Sequence, residues 1–120
     1  MAVEEARGTV VIIDLLKGAP CAWPRLESDN TIMTTGSARP LEDAFRVTRS
    51  ELVHWVAAET GMSVLDSYQL VSRGVRSPVA DVVDTTYTTV TKLPKPLLPG
   101  VEPLHGTHRR LRALAASYSA

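Results

Sequence analysis

The chain is short of cysteine, of net charge and of long apolar runs, and each shortage narrows what it can be. Cys21 is the single cysteine in 120 residues, so no disulfide can close within the chain. A lone thiol suits a reducing compartment, and a cytoplasmic location is expected. Thirteen basic residues balance thirteen acidic ones, which leaves little pull on phosphate backbones or anionic lipid, so neither nucleic acid nor a membrane is an expected partner. The longest apolar run near the amino terminus, Val10 to Ile13 with Leu15 and Leu16, is interrupted by Asp14 and is far too short to span a bilayer. It also lacks the cationic start and small-residue cleavage site of a signal peptide. No internal repeat or low-complexity tract is visible.

What is present is an ordinary globular composition, 44% apolar and 22% charged, over a length that suits one hydrophobic core. A single domain over residues 1–120 is therefore expected. Thr9 to Leu16, rich in β-branched residues and stopped by Lys17-Gly18, reads as a first, buried strand. The stretch GAPCAWPRLESDN, with Pro20 and Pro24, reads as an extended loop pinned by Trp23. Thr31 to Thr35 reads as a short second strand ending at Gly36-Ser37. Pro40 with Glu42 and Asp43 starts a helix, because proline suits the first turn and acids complement the positive end of the dipole. Leu41, Ala44, Phe45, Leu52, Trp55 and Val56 give it an apolar face, and Gly61 ends it.

Ser63 and Asp66 resemble a capping box that opens a second helix, which includes Tyr68 and Val71 or Val75 and ends near Gly74. Val79 to Val83 and Thr85 to Leu93 read as two strands or one long bent strand. Four prolines from Pro94 to Pro103 argue against regular structure there, and Arg109 to Ala116 can form a short final helix. Strands, helices and strands in separate runs make an α+β fold, with a small mixed or antiparallel sheet packed against two helices.

The order of these segments resembles the carboxy-terminal part of the acetamidase/formamidase family. That part has a proline and a glutamate before a strand ending in glycine, then a leucine-led helix containing alanine, matched by Pro24, Glu27, Gly36, Leu41 and Ala44. A second helix with an acid, a small residue, an aromatic and a closing serine is matched by Asp66, Ser67, Tyr68 and Ser72. A valine-aspartate strand and a leucine-proline-lysine end are matched by Val83-Asp84 and Leu93-Pro94-Lys95. The resemblance covers residues 8–98, leaving 99–120 as a proline-rich tail with a short helix.

The resemblance implies hydrolysis of a small amide such as formamide or acetamide to a carboxylate and ammonia. In the complete family enzyme, zinc or another divalent metal would activate the attacking water. The family's earlier half, with its glycine-aspartate-x-histidine and glycine-aspartate-glycine-glutamate signatures, is missing from this sequence. No metal bound by this chain is therefore expected, and the expected partners are a small amide substrate with either further copies of the chain or a complementary amino-terminal subunit.

Glu27, in a polar loop before a strand, is a candidate pocket carboxylate that could bind an amide nitrogen or orient a water. A solvated loop acid is the plainer reading. Asp29, Thr35 and Gly36, with Asn30, are candidates for the same mouth, and turn chemistry accounts for them equally well. His105 and His108, three apart, could share a helix face, but no third ligand is near them in the tail. His54 reads as a helix-surface or packing residue. Cys21 reads as an unactivated thiol, and no serine elbow occurs. Arg109, Arg110 and Arg112 with His108 form a basic patch that reads as a solvated tail face.

Two further functional readings stand beside the amidase one. The first is a non-catalytic binding or assembly module with the same fold. The second is a helix-turn-helix regulator, prompted by the turn Thr60-Gly61-Met62-Ser63 and opposed by the flanking strands and the zero net charge.

Overall fold

The computed structural model describes residues 11–118. Two long strands, β2 (Thr31–Ala38) and β4 (Tyr87–Pro94), pair antiparallel over eight residues each, from Thr31 opposite Pro94 to Ala38 opposite Tyr87. The short strands β1 (Arg25–Glu27) and β3 (Val79–Asp81) flank them, so the sheet is wholly antiparallel, in the order β1-β2-β4-β3. Of the two sheet types expected, the antiparallel one is formed.

β1 lies inside the stretch expected to be an extended loop. Its hairpin to β2 closes through Ser28, whose backbone N–H donates to the Thr31 carbonyl at 2.9 Å while its hydroxyl sits 2.8 Å from the Thr31 hydroxyl. Serine is apt here because a short hydroxyl can bond its own turn. β2 also runs three residues past the expected end at Thr35, since Gly36, Ser37 and Ala38 find ladder partners in Thr89, Thr88 and Tyr87 of β4.

α1 (Leu41–Thr60) starts and stops where its signals lie: Pro40 is the N-cap, Glu42 and Asp43 occupy the first turn, and Gly61 adopts the left-handed conformation at φ 71°. α2 (Val64–Gly74) is capped by Ser63, whose hydroxyl accepts from the Asp66 backbone N–H and bonds the Asp66 carboxylate at 2.6 Å. Both helices lie on one face of the sheet. Their core consists of Ile32 and Leu93 from β2 and β4, Leu52, Val53, Trp55 and Val56 from α1, Val71 from α2, and Leu98.

Under the amino-terminal half of α1 the packing changes character. Ala44, Thr48, Thr34, Thr89 and Thr91 are buried there. The Thr34 hydroxyl donates to the Thr48 carbonyl at 2.7 Å, and the Thr48 hydroxyl lies 2.8 Å from that of Thr91. Phe45, expected in the core, is exposed instead, because the small residues bring the helix backbone too close to the sheet for a ring to fit between.

Three other expectations are corrected. The first strand is not formed where it is described: residues 11–16 pair with no strand, and Ile13 is 90% exposed. Thr9 and Val10 lie outside the described residues. β-branched side chains favour a strand only where a ladder partner exists, and the sheet closes on its own four strands. The strand expected over Val79 to Val83 stops at Asp81, leaving Val82 and Val83 exposed, so the choice between two strands and one bent strand falls to two. The proline-rich run is not wholly irregular, since Lys95–Leu97 forms a 3-10 turn with proline in its first turn, and Pro103–Gly106 makes a tight turn in which Leu104 and His105 take positive φ of 49° and 55°. A third helix, α3 (Thr107–Ala116), follows them. No helix among the described residues is long and apolar enough to cross a membrane.

Candidate functional site

Two of the four candidate pocket residues come together. Glu27, the last residue of β1, and Asp29, in the turn that follows, border a polar cleft of about 300 Å³ with Lys95, His108, Arg109 and Arg112. Lys95 is carried there by the β4 end, where its backbone N–H donates to the Asn30 carbonyl at 2.9 Å. Its Nζ lies 2.7 Å from Glu27 Oε1, with both side chains largely buried.

Asp29 faces α3. His108 Nε2 is 3.0 Å from its Oδ1, and Arg112 is 2.9 Å from its Oδ2. The hydrogen bond from His108 holds the Asp29 carboxyl below the usual carboxylate range, and the charges of Arg112, His108 and Lys95 act in the same direction. Arg109 pairs with Glu102 and Arg110 with Asp14, each at 2.7 Å. The basic patch therefore meets an acid at each of its arginines while all three stay exposed, as a solvated face does.

The other two candidates point elsewhere. Gly36 lies under α1, where an added Cβ would come within 2.7 Å of Val47 Cγ1. Its lack of a side chain lets helix and strand approach closely. Thr35, opposite Val90 in the register, falls on the sheet face away from α1. The single mouth expected for Glu27, Asp29, Thr35 and Gly36 is thus divided among three places, since strand alternation sends neighbouring side chains to opposite faces.

The remaining chemistry-bearing residues are dispersed. His54 is exposed on α1 with Nδ1 2.7 Å from the Ser50 carbonyl, and Cys21 is exposed. His105 has a φ of 55° in the turn before α3, so it and His108 do not share one helix face. Among the described residues no three His, Cys, Asp or Glu side chains gather as a group able to hold a metal. The zinc or other divalent metal implied by the resemblance does not fit the residues of this segment.

Sequence reasoning missed Lys95 as the partner of Glu27, although the leucine-proline-lysine end had marked it. It also missed an apolar groove between α1 and α2, of about 680 Å³, lined by Phe45, Arg49, Val53, Leu65 and Tyr68 among others. The exposed apolar positions on α2 were its only sequence signal.

The fold has solved counterparts. Acetamidase from Yersinia enterocolitica is 41% identical over 69% of this chain, which corresponds to 25% of that protein, with a TM-score of 0.67. The segment belongs to the acetamidase/formamidase family. The same fold occurs in acetamidase from Bacillus halodurans, 24% identical over 62% of this chain and 25% of that one, with a TM-score of 0.59. It occurs again in a predicted acetamidase/formamidase from Thermoanaerobacter tengcongensis, 23% identical over 69% of this chain and 28% of that one, with a TM-score of 0.64. No family model matches the chain, and no curated protein does. The chain thus spans about a quarter of the length of the acetamidases it resembles, a share that fits the carboxy-terminal part.

Proposed function

We propose that this chain is the carboxy-terminal quarter of an amidase that hydrolyses small amides such as formamide or acetamide, and that it acts with a complementary amino-terminal chain in the cytoplasm. The observation that carries the reading is the 41% identity to Yersinia enterocolitica acetamidase over a quarter of that protein. In such a reaction water attacks the carbonyl carbon, the C–N bond breaks, and the nitrogen leaves as ammonia while the acyl group becomes a carboxylate. A divalent metal such as zinc, held by the complementary chain, would supply the activated water. Glu27 is this chain's candidate for the pocket wall, since a carboxylate can accept a hydrogen bond from the amide nitrogen.

A specific observation favours a second reading, a binding or assembly module without chemistry, working as a homo-oligomer. Glu27 is engaged by Lys95, and Asp29 by His108 and Arg112, as expected of carboxylates that hold loops together. Ammonia release from formamide and acetamide in the presence of zinc separates the two readings. It should be absent for the chain alone. It should appear when the chain is co-expressed with the Yersinia acetamidase from which the matching quarter has been removed. Release by the chain alone would refute the split-enzyme reading, and a stable but inactive complex would favour the assembly module.

A further inference from the structure

We propose that the groove between α1 and α2 is the surface on which the complementary amidase chain docks, through an apolar segment that carries a carboxylate. This rests on the split-enzyme reading and names the surface that the reading requires.

The groove is open and apolar, with Leu65 66% and Tyr68 57% exposed. Patches of this kind on a folded protein mark interaction sites more often than chance exposure does. Its volume of about 680 Å³ would accept several side chains from a partner. The charges at its border have one sign: Arg46 and Arg49 line it, and no acid does. Arg46 already pairs with Asp43 at 2.6 Å.

Arg49 is different. Its guanidinium lies 4.7 Å above the Phe45 ring, and its Nε is buried without a hydrogen-bond partner among the described residues. Arg49 also lines the groove, so a carboxylate arriving with an apolar segment can pair with the part of its guanidinium that faces the groove, in the charge-assisted geometry that arginine favours. Sign and shape thus agree on an acidic, apolar occupant.

The other uncovered surface fits a partner less well. The sheet face away from α1 presents Thr35, Ser37, Thr88 and Lys92 beside Met33 and Val90. Ser37 and Thr88 already bond each other there at 2.7 Å. A polar face with its hydroxyls satisfied can stay in water, as antiparallel sheets commonly do. In the Yersinia acetamidase the matching quarter is joined to a much longer remainder, and the counterpart of that remainder is the proposed occupant.

The test is capture. The tagged full chain is co-expressed with the Yersinia acetamidase lacking its matching quarter, and the amount of that fragment retained is measured. Tyr68→Glu and Leu65→Glu should each lower retention by about tenfold or more, as loss of an interface anchor does. Arg49→Met, which keeps the stem but removes the guanidinium, should lower it by a similar order. Both α2 side chains are exposed, so the melting temperature should not move. Val90→Glu, on the opposite sheet face, should leave retention intact.

Undiminished capture by all three groove variants overturns the proposal while leaving the split-enzyme reading in place, as does capture lost with Val90→Glu alone. Failure of the unaltered chain to capture the fragment removes both. A chain that self-associates through Tyr68 yet captures the fragment regardless assigns the groove to a second copy and also overturns the proposal.

Discussion

α1 and α3 are helices of the same chain fastened in opposite ways. α1 buries Ala44, Thr48, Leu52, Val53, Trp55 and Val56 against the sheet and α2. α3 buries no residue. Its hold on the body includes four ion pairs, to Glu102, Asp14 and, twice, Asp29. Apolar burial grows with contact area and is not screened by salt, whereas exposed ion pairs contribute little each and are screened. α1 should therefore leave the sheet only when the whole fold melts, and α3 should be able to detach by itself.

The largest break in this comparison comes from the centre of α1. Leu52 is fully buried in the cluster with Ile32, Trp55 and Leu93. Leu52→Ala should cost about 2–5 kcal/mol, from lost transfer energy and the cavity left behind. Urea unfolding followed by circular dichroism should show the midpoint fall with an unchanged slope. A loss well under 1 kcal/mol would mean that α1 is held less by apolar burial than its packing indicates.

A smaller effect sharpens how α1 is seated. Gly36→Ala places a methyl 2.7 Å from Val47 Cγ1 and 3.0 Å from Thr48 Cγ2, nearer than carbon atoms normally approach. The Val47 and Thr48 side chains or the helix that carries them must give way, at about 1–3 kcal/mol for overpacking, which disturbs the Thr34–Thr48 bond of 2.7 Å. The same urea measurement reads the cost. If Gly36→Ala instead left stability unchanged and abolished activity of the reconstituted amidase, Gly36 would be a pocket residue after all.

α1 was legible because its signals are local: Pro40 and the acids at its start, Gly61 at its end, and apolar residues at helical spacing. α2 and its Ser63 cap were legible for the same reason. Phe45 misled because its spacing fits the apolar stripe, while the seat beneath it is set by Gly36 and the threonines of two distant strands. The run from Thr9 misled because β propensity says nothing about whether a partner strand exists. β1 was hidden because three residues between a proline and a turn carry no periodicity. At the candidate site, Glu27 and Asp29 were found as loop acids. Their partners Lys95, His108 and Arg112 lie far along the chain, and nothing in the spacing links them.

The last test loosens α3 and spares α1. Asp29 is the one acid that meets α3 twice, through His108 and Arg112. Because the fold depresses its carboxyl below the ordinary value of 3.8, the pairing contributes above that value and is lost as pH falls through the folded one. Acid in that window, added salt, or Asp29→Asn at neutral pH should each free α3. With salt or Asp29→Asn, trypsin cleavage after Arg109, Arg110 and Arg112 at neutral pH should then quicken, and in acid, where trypsin is inactive, exchange of the α3 amides should quicken instead, while exchange of the α1 amides stays slow, as local opening allows. The salt effect should shrink in Asp29→Asn, since one screened partner is already gone. Cleavage that ignores salt and the substitution, with α3 exchange that ignores acid, would mean that α3 is fixed through the Pro103–Gly106 turn, whose Pro103 and Gly106 are buried, and that its ion pairs follow its position without setting it.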